Sequence, residues 1–292
     1  IGDAVSVIKE KIARGYLMGN KARRLLHLQY VLGWVASFFL TPLYYLIIRS
    51  AGYSIRNIRD VRRQSRLLFR QHKGPWMVCA NHLTMIDSVI LAYALFPVYR
   101  CVLQYNLLPW NLPERANFQR NFLLTFLCYV NKCVPVSRGG DRGEMKQVLE
   151  KCMHLLNEGQ NLMIFPEGGR SRTGRVDTQN FSYGVGRFLE GSDNCRVMCL
   201  YLRGDHQDHY SNMPRWRENF TCLIDTLEIK KNGQTGLRAQ KQYTEQIVRH
   251  LSAMEEQYFA AVGNDVVDLE NPDALGRSLD ERFVRRVFLP EE

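Results

Sequence analysis

Carboxylates are scarce at one end of this chain. The first 75 residues hold fourteen lysines and arginines against Asp3, Glu10 and Asp60 alone, whereas the whole chain carries a net charge of only +10. Such a basic pole suits a phosphate-bearing partner, either nucleic acid or anionic lipid. No aromatic-interleaved basic run and no helix-turn-helix pattern accompanies the charge, so nucleic acid is not the expected partner. From Leu25 to Ile48 formal charge is missing altogether. Few core helices of soluble domains are so long without charge, and the length approaches what crosses a bilayer. A secretory signal pattern is also lacking, and the eight cysteines follow no regular spacing. This argues for free thiols in a reducing compartment rather than a disulfide framework. Cys195, Cys199, His206 and His209 match no common zinc spacing, and residues 195–202 read as a buried strand, so these cysteines read as core.

What is present is a folded composition, with 46% hydrophobic and 23% charged residues. The length allows one α/β domain of about 200 residues with an extra element at each end. Ile1 stands without an initiator Met and reads as a cut or processed end, and residues 1–24 read as a short basic helix. Residues 30–48 are apolar and aromatic, flanked by Arg23, Arg24 and Arg49. Tyr30, Trp34, Tyr44 and Tyr45 suit a membrane interface, and Pro42 predicts a kink. A single span, a kinked re-entrant pair and an interfacial anchor all fit this segment. Within 53–70, Arg56, Arg59, Arg62, Arg63, Arg66 and Arg70 recur at three- and four-residue steps. That spacing gives a cationic helix face, suited to anionic headgroups or simply to solvent.

Beyond Gly74-Pro75, strands are expected at 76–80, 99–104, 161–165, 196–203 and 221–229. Helices are expected at 88–95, where Pro97 stops the run, and at 141–158, 181–190 and 236–262. Two chemically loaded turns follow two of the strands: Asn81-His82-Leu83-Thr84-Met85-Ile86-Asp87 and Phe165-Pro166-Glu167-Gly168-Gly169-Arg170-Ser171-Arg172-Thr173-Gly174. Both lie at strand C-terminal ends, which places them at one crevice of an α/β sheet. Five steps on a regular helix would set His82 and Asp87 about 140° apart. The pair therefore meets only if His82 sits in the turn and Asp87 within the helix. A carboxylate so placed can hold one imidazole nitrogen and leave the other to take a proton. Alone, the pair would fit better a buried, satisfied histidine near a helix N-terminus.

Taken together, the two motifs resemble the signatures N-H-x4-D and F-P-E-G-[TG]-R-S of the glycerolipid acyltransferase family, over residues 74–229. That family includes the 1-acylglycerol-3-phosphate and glycerol-3-phosphate acyltransferases. The resemblance implies a mixed, mainly parallel α/β sheet flanked by helices, preceded by a hydrophobic membrane-associated helical segment. It implies His82 as general base with Asp87 fixing its tautomer, and no acyl-enzyme. It also implies a short strand over residues 133–138 ending in Arg138, and Arg138, Glu167, Gly168, Gly169, Arg170, Ser171 and Arg172 would hold or shape the acceptor-phosphate site. A backbone N–H near the His82 turn is the expected oxyanion donor. Residues 107–130 would line an acyl-chain groove or serve as plain core. The Gly168-Gly169 pair and the following Arg-Ser-Arg-Thr-Gly are closer to some glycerol-3-phosphate enzymes than to the lysophosphatidate ones. The expected partners are an acyl thioester, on acyl carrier protein or coenzyme A, a glycerol-phosphate lipid, and the membrane through residues 25–70. No metal or organic cofactor is implied, and the cytoplasmic face of a membrane is the expected location.

The expected domains are a membrane-associated region at 1–73, an acyltransferase domain at 74–261 and a tail at 262–292. Residues 262–269 and 280–292 resemble the opening of a 4′-phosphopantetheinyl transferase, in which the aspartate matching Asp265 binds magnesium. The remaining metal and coenzyme A positions of that family are not in this sequence, so no such activity is expected. The resemblance would make the chain a segment of a longer polypeptide handling carrier-bound acyl groups.

Overall fold

The computed structural model describes residues 18–267 except 119, 138 and 139. Its middle layer is a six-stranded sheet of β1 (Ser54–Ile55), β2 (Trp76–Ala80), β3 (Trp110–Asn111), β4 (Leu162–Ile164), β5 (Arg196–Gly204) and β6 (Asn219–Leu227), ordered β1-β6-β5-β2-β4-β3. All adjacent pairs are parallel except β5 with β6. The fold is thus the mixed, mainly parallel α/β architecture that the sequence implied. Helices in chain order are α1 (Asn20–Ser50), α2 (Ile58–Gln71), α3 (Asp87–Leu95), α4 (Val98–Leu103), α5 (Arg115–Phe118), α6 (Phe122–Val130), α7 (Arg142–Asn157), α8 (Gly184–Gly191) and α9 (Leu237–Val267).

The strand β2 is apolar throughout because it is covered on both faces and paired on both edges. Its alternation divides the core in two. Met77 and Cys79 pack toward α7, α8 and α9, whereas Trp76, Val78 and Ala80 pack toward α2 and α3. Asn81, just past β2, ties it to β5 by donating to Leu202 O at 2.9 Å and accepting from Leu202 N at 2.8 Å. Asp141 caps α7 by accepting from Gly143 N at 3.0 Å. In α8, a Cβ at Gly186 would collide with Gln240 O of α9, so glycine permits this close contact.

Two expected strands differ. Residues 98–103 form α4 rather than a strand, because Pro97 sits in extended backbone at its N-cap and both edges of β2 are already taken. Of the expected strand 133–138, the described residues 133–137 contribute two isolated bridges, Cys133 to Asn111 and Val136 to Glu114, while the neighbouring strand is β3. Expected residues 221–229 appear as β6, shifted two positions toward the N-terminus.

Helix α1 is unbroken through Pro42 and, at 31 residues, is about 46 Å long. The re-entrant pair is therefore not formed. One face, with Leu26, Gly33, Ser37, Thr41 and Ile48, is buried against the domain. Gln29 Nε2 donates to Tyr129 O and Cys133 O at 2.9 Å, and Trp34 Nε1 donates to Val102 O at 3.1 Å. The opposite face stays open, with Phe39, Leu46 and Ile47 exposed. By length and composition α1 is apolar enough to cross a membrane, and it is not a core helix. Residues 1–17 and 268–292, with most of the tail that resembles a phosphopantetheinyl transferase, lie outside the described residues.

Candidate active site

The His82 turn emerges from the buried end of β2, and Asp87 opens α3. His82 Nδ1 lies 2.9 Å from Asp87 Oδ2. The same oxygen accepts from Leu83 N at 2.7 Å and Thr84 N at 2.8 Å, and Thr84 Oγ1 donates to Asp87 Oδ1. Four donors thus fix a carboxylate that is only 2% exposed. With Nδ1 committed, Nε2 is the nitrogen left to exchange a proton with a substrate. The Phe165 ring stacks on the imidazole, with centroids 4.1 Å apart and an interplanar angle of 18°. Carboxylate and stacked ring hold the histidine from two sides.

The second turn is knitted to the first through its backbone. His82 N donates to Glu167 Oε1 at 3.1 Å, Asp177 N donates to Glu167 Oε2 at 3.3 Å, and Ser171 N donates to His82 O at 2.8 Å. Glu167 therefore spans the two loaded turns. Burial, opposed by the His82 and Asp177 N–H groups and aided by the nearby Glu255 and Asp177 charges, pushes its carboxyl up to about 7. Gly168 adopts φ +69°, a left-handed conformation that suits glycine. Gly169 is half-buried beside it. Ser171 is buried, and its hydroxyl donates to Arg175 O, so it braces the turn.

The arginines separate. Arg170 Nη1 donates to Ser211 O at 2.8 Å and Asn212 Oδ1 at 2.9 Å, and its guanidinium lies 5.3 Å from the Tyr210 ring centroid. Arg170 still borders the cavity that His82 lines. Arg172 is exposed and outside that lining. Arg138 lies outside the described residues. The N–H groups of His82, Leu83 and Thr84 are all engaged by carboxylates, so none of these three is free to serve as the expected oxyanion donor.

Two cavities meet at the site. One, of about 380 Å³, runs from His82, Gly168 and Arg170 to Val148, Leu149 and Phe188. The other, of about 300 Å³, is apolar and lies between α1 and α6, lined among others by Leu40, Thr41, Tyr44, Leu124 and Leu127. Both are bordered by Met85, Ser88, Asn111 and Pro113. Among the described residues no three His, Cys, Asp or Glu side chains cluster as metal ligands would.

Thr84, Phe165 as a stacking partner, and the 208–213 loop were not singled out from sequence. Thr84 falls inside the first motif, and a hydroxyl three residues before a helix-opening Asp is a local capping signal that would have found it. The loop reaches the site through Ser211 N to Leu83 O and Met85 N to Asn212 O, contacts that no local pattern announces.

Residues 54–197 match the model of the family described as Acyltransferase. The chain carries an acyltransferase domain. The match takes in β1 and α2, includes both loaded turns, and stops just inside β5. No curated protein matches the chain.

Proposed function

We propose that this acyltransferase domain moves a fatty acyl group from a thioester, on acyl carrier protein or coenzyme A, to a hydroxyl of a glycerol-phosphate lipid. The first choice of acceptor is 1-acyl-sn-glycerol-3-phosphate, giving phosphatidic acid; glycerol-3-phosphate or another hydroxyl lipid is the alternative. The observation that carries the reading is the Asp87-held imidazole of His82, lining the cavity that shares Met85, Ser88, Asn111 and Pro113 with the apolar one. In this mechanism His82 Nε2 accepts the hydroxyl proton as the oxygen attacks the thioester carbonyl. Asp87 stabilises the imidazolium, the C–S bond breaks, and the proton passes from His82 to the leaving thiolate. Arg170, with Arg138 and Arg172, would orient the acceptor phosphate. Supporting this role, the described residues hydrogen-bond Arg170 through Nη1 alone. The apolar cavity suits an acyl chain. The apolar face of α1 and the basic α2 would seat residues 25–70 on the cytoplasmic face of a membrane.

The test is acyl transfer by detergent-purified protein from both donor types to lysophosphatidate, glycerol-3-phosphate and a phosphate-free alcohol. His82→Ala should lower turnover by about 10²–10⁴. Turnover of the phosphate-free alcohol alone would remove the arginine assignment. Lipid binding without any turnover, unchanged by His82→Ala, would make the domain a non-catalytic lipid scaffold.

A further inference from the structure

Away from the His82 crevice, α2 carries Arg62, Arg66 and Arg70 at four-residue steps, which puts them along one face. Arg100 of α4 lies close enough to Arg66 and Arg70 to feel their charge, and burial together with those neighbours lowers its pKa. Arg100 is only 9% exposed. Its Nε donates to Gln104 Oε1 at 2.7 Å, yet its buried Nη1 has no hydrogen-bond partner among the described residues. Arg62 repeats the pattern: Nη2 donates to Tyr93 O at 2.9 Å while the buried Nε has no partner among them. The helices around this cluster supply no free counter-charge. There is no carboxylate in α1 or α4; the single one in α2, Asp60, pairs with Arg63 at 2.9 Å, and the single one in α3, Asp87, pairs with His82. Arg66 and Arg70 are exposed beside the partly buried, incompletely paired Arg62 and Arg100, and a phosphate can accept N–H bonds from the exposed pair while its charge offsets that of the other two.

The surroundings indicate where the phosphate comes from. Helix α4 is hydrogen-bonded to α1 through Val102, and its Tyr99 and Leu103 are 57% and 75% exposed. Leu67, on α2 between Arg66 and Arg70, is 49% exposed. Charge beside exposed apolar side chains matches a headgroup above its acyl chains. We propose that Arg62, Arg66, Arg70 and Arg100 form a binding site for the phosphate of an anionic phospholipid, separate from the catalytic crevice.

This inference rests on the membrane association proposed for residues 25–70 but not on acyl transfer. It is tested by flotation of the whole chain with phosphatidylcholine vesicles and with vesicles in which a fifth of the lipid is phosphatidylglycerol. The wild type should bind the anionic vesicles more tightly, and Arg66→Gln/Arg70→Gln should lose about fivefold of that preference per arginine. Arg100→Gln should lose it too, and Arg63→Gln, paired with Asp60, should keep it. Retention of the preference in Arg66→Gln/Arg70→Gln, or an equal loss in Arg63→Gln, overturns the site. Failure to bind either vesicle sinks the membrane reading. A rise in melting temperature with inorganic phosphate, seen in the wild type and absent from Arg66→Gln/Arg70→Gln, would then assign the site to soluble phosphate instead of lipid. Absence of that rise would overturn the site as well.

Discussion

Glu167 shows how a residue read as ligand-facing can be structural at the same time. Its two oxygens accept from His82 N and Asp177 N, so it sets the separation of the two turns that make the site. Its folded pKa, raised to about 7 mainly by burial, lies above the ordinary carboxylate value of 4.5. The folded state therefore holds this proton more tightly than the unfolded chain does. The resulting contribution to stability is complete below the unfolded value and is lost as pH rises through about 7. Glu167→Gln removes that titration, at the cost of a pH-independent offset from one weakened N–H bond. From about pH 5 to about pH 8, the melting temperature of Glu167→Gln should gain on that of the wild type, by the equivalent of about 1–3 kcal/mol. Parallel curves would mean that Glu167 is ionised throughout. At this scale the sequence was legible where a spacing admits one geometry. His82 and Asp87 can meet only across a turn, and they do. It was not legible where a backbone atom chooses its acceptor, which is why engagement of the His82, Leu83 and Thr84 N–H groups was not foreseen.

Among elements, the legible ones are those with long, unambiguous periodicity, such as α7 and α9, or a wholly apolar run bounded by turns, such as β2. The misread ones are short. Residues 98–103 hold apolar and β-branched side chains in a run too brief for periodicity to separate strand from helix. Only the tertiary fact that β2 already has β4 and β5 on its edges decides for α4. The chain from 107 to 130 remained open between acyl groove and core, and its packing against α1 is likewise long-range. In the structure Leu108, Leu124, Leu127 and Val130 border the apolar cavity. If acyl chains occupy it, Leu127→Trp should shorten the accepted chain. Donors of decreasing length should regain turnover to within about threefold of wild type, while the longest lose about tenfold or more, since filling a packed cavity clashes with what it holds. A uniform loss across the donor series would place the acyl chain elsewhere.

For the whole molecule, two physically different surfaces adjoin along α1, α2 and α4, and they make separable demands on a membrane. The exposed face of α1 presents Phe39 at 76% and Leu46 at 62%, seven residues apart and hence on one side of the helix. These side chains pack against nothing that folding provides, so their removal should leave thermal stability nearly unchanged. Transfer of a phenylalanine and a leucine side chain from water to the lipid interface is worth roughly 1.5–3 kcal/mol each. Phe39→Ser/Leu46→Ser should therefore weaken partition to neutral phosphatidylcholine vesicles by about a hundredfold or more. The arginines cannot supply this term, because neutral lipid offers no net charge, whereas the preference for anionic vesicles should survive in the double serine variant as a ratio. Equal partition of wild type and variant, at equal melting temperature, would show that α1 faces something other than lipid. The charge asymmetry and the uncharged run were both plain in the sequence. That they adjoin follows only from tertiary structure: α4 is held to α1 through Val102, and its Arg100 lies over Phe96, whose ring packs on Phe69 of α2.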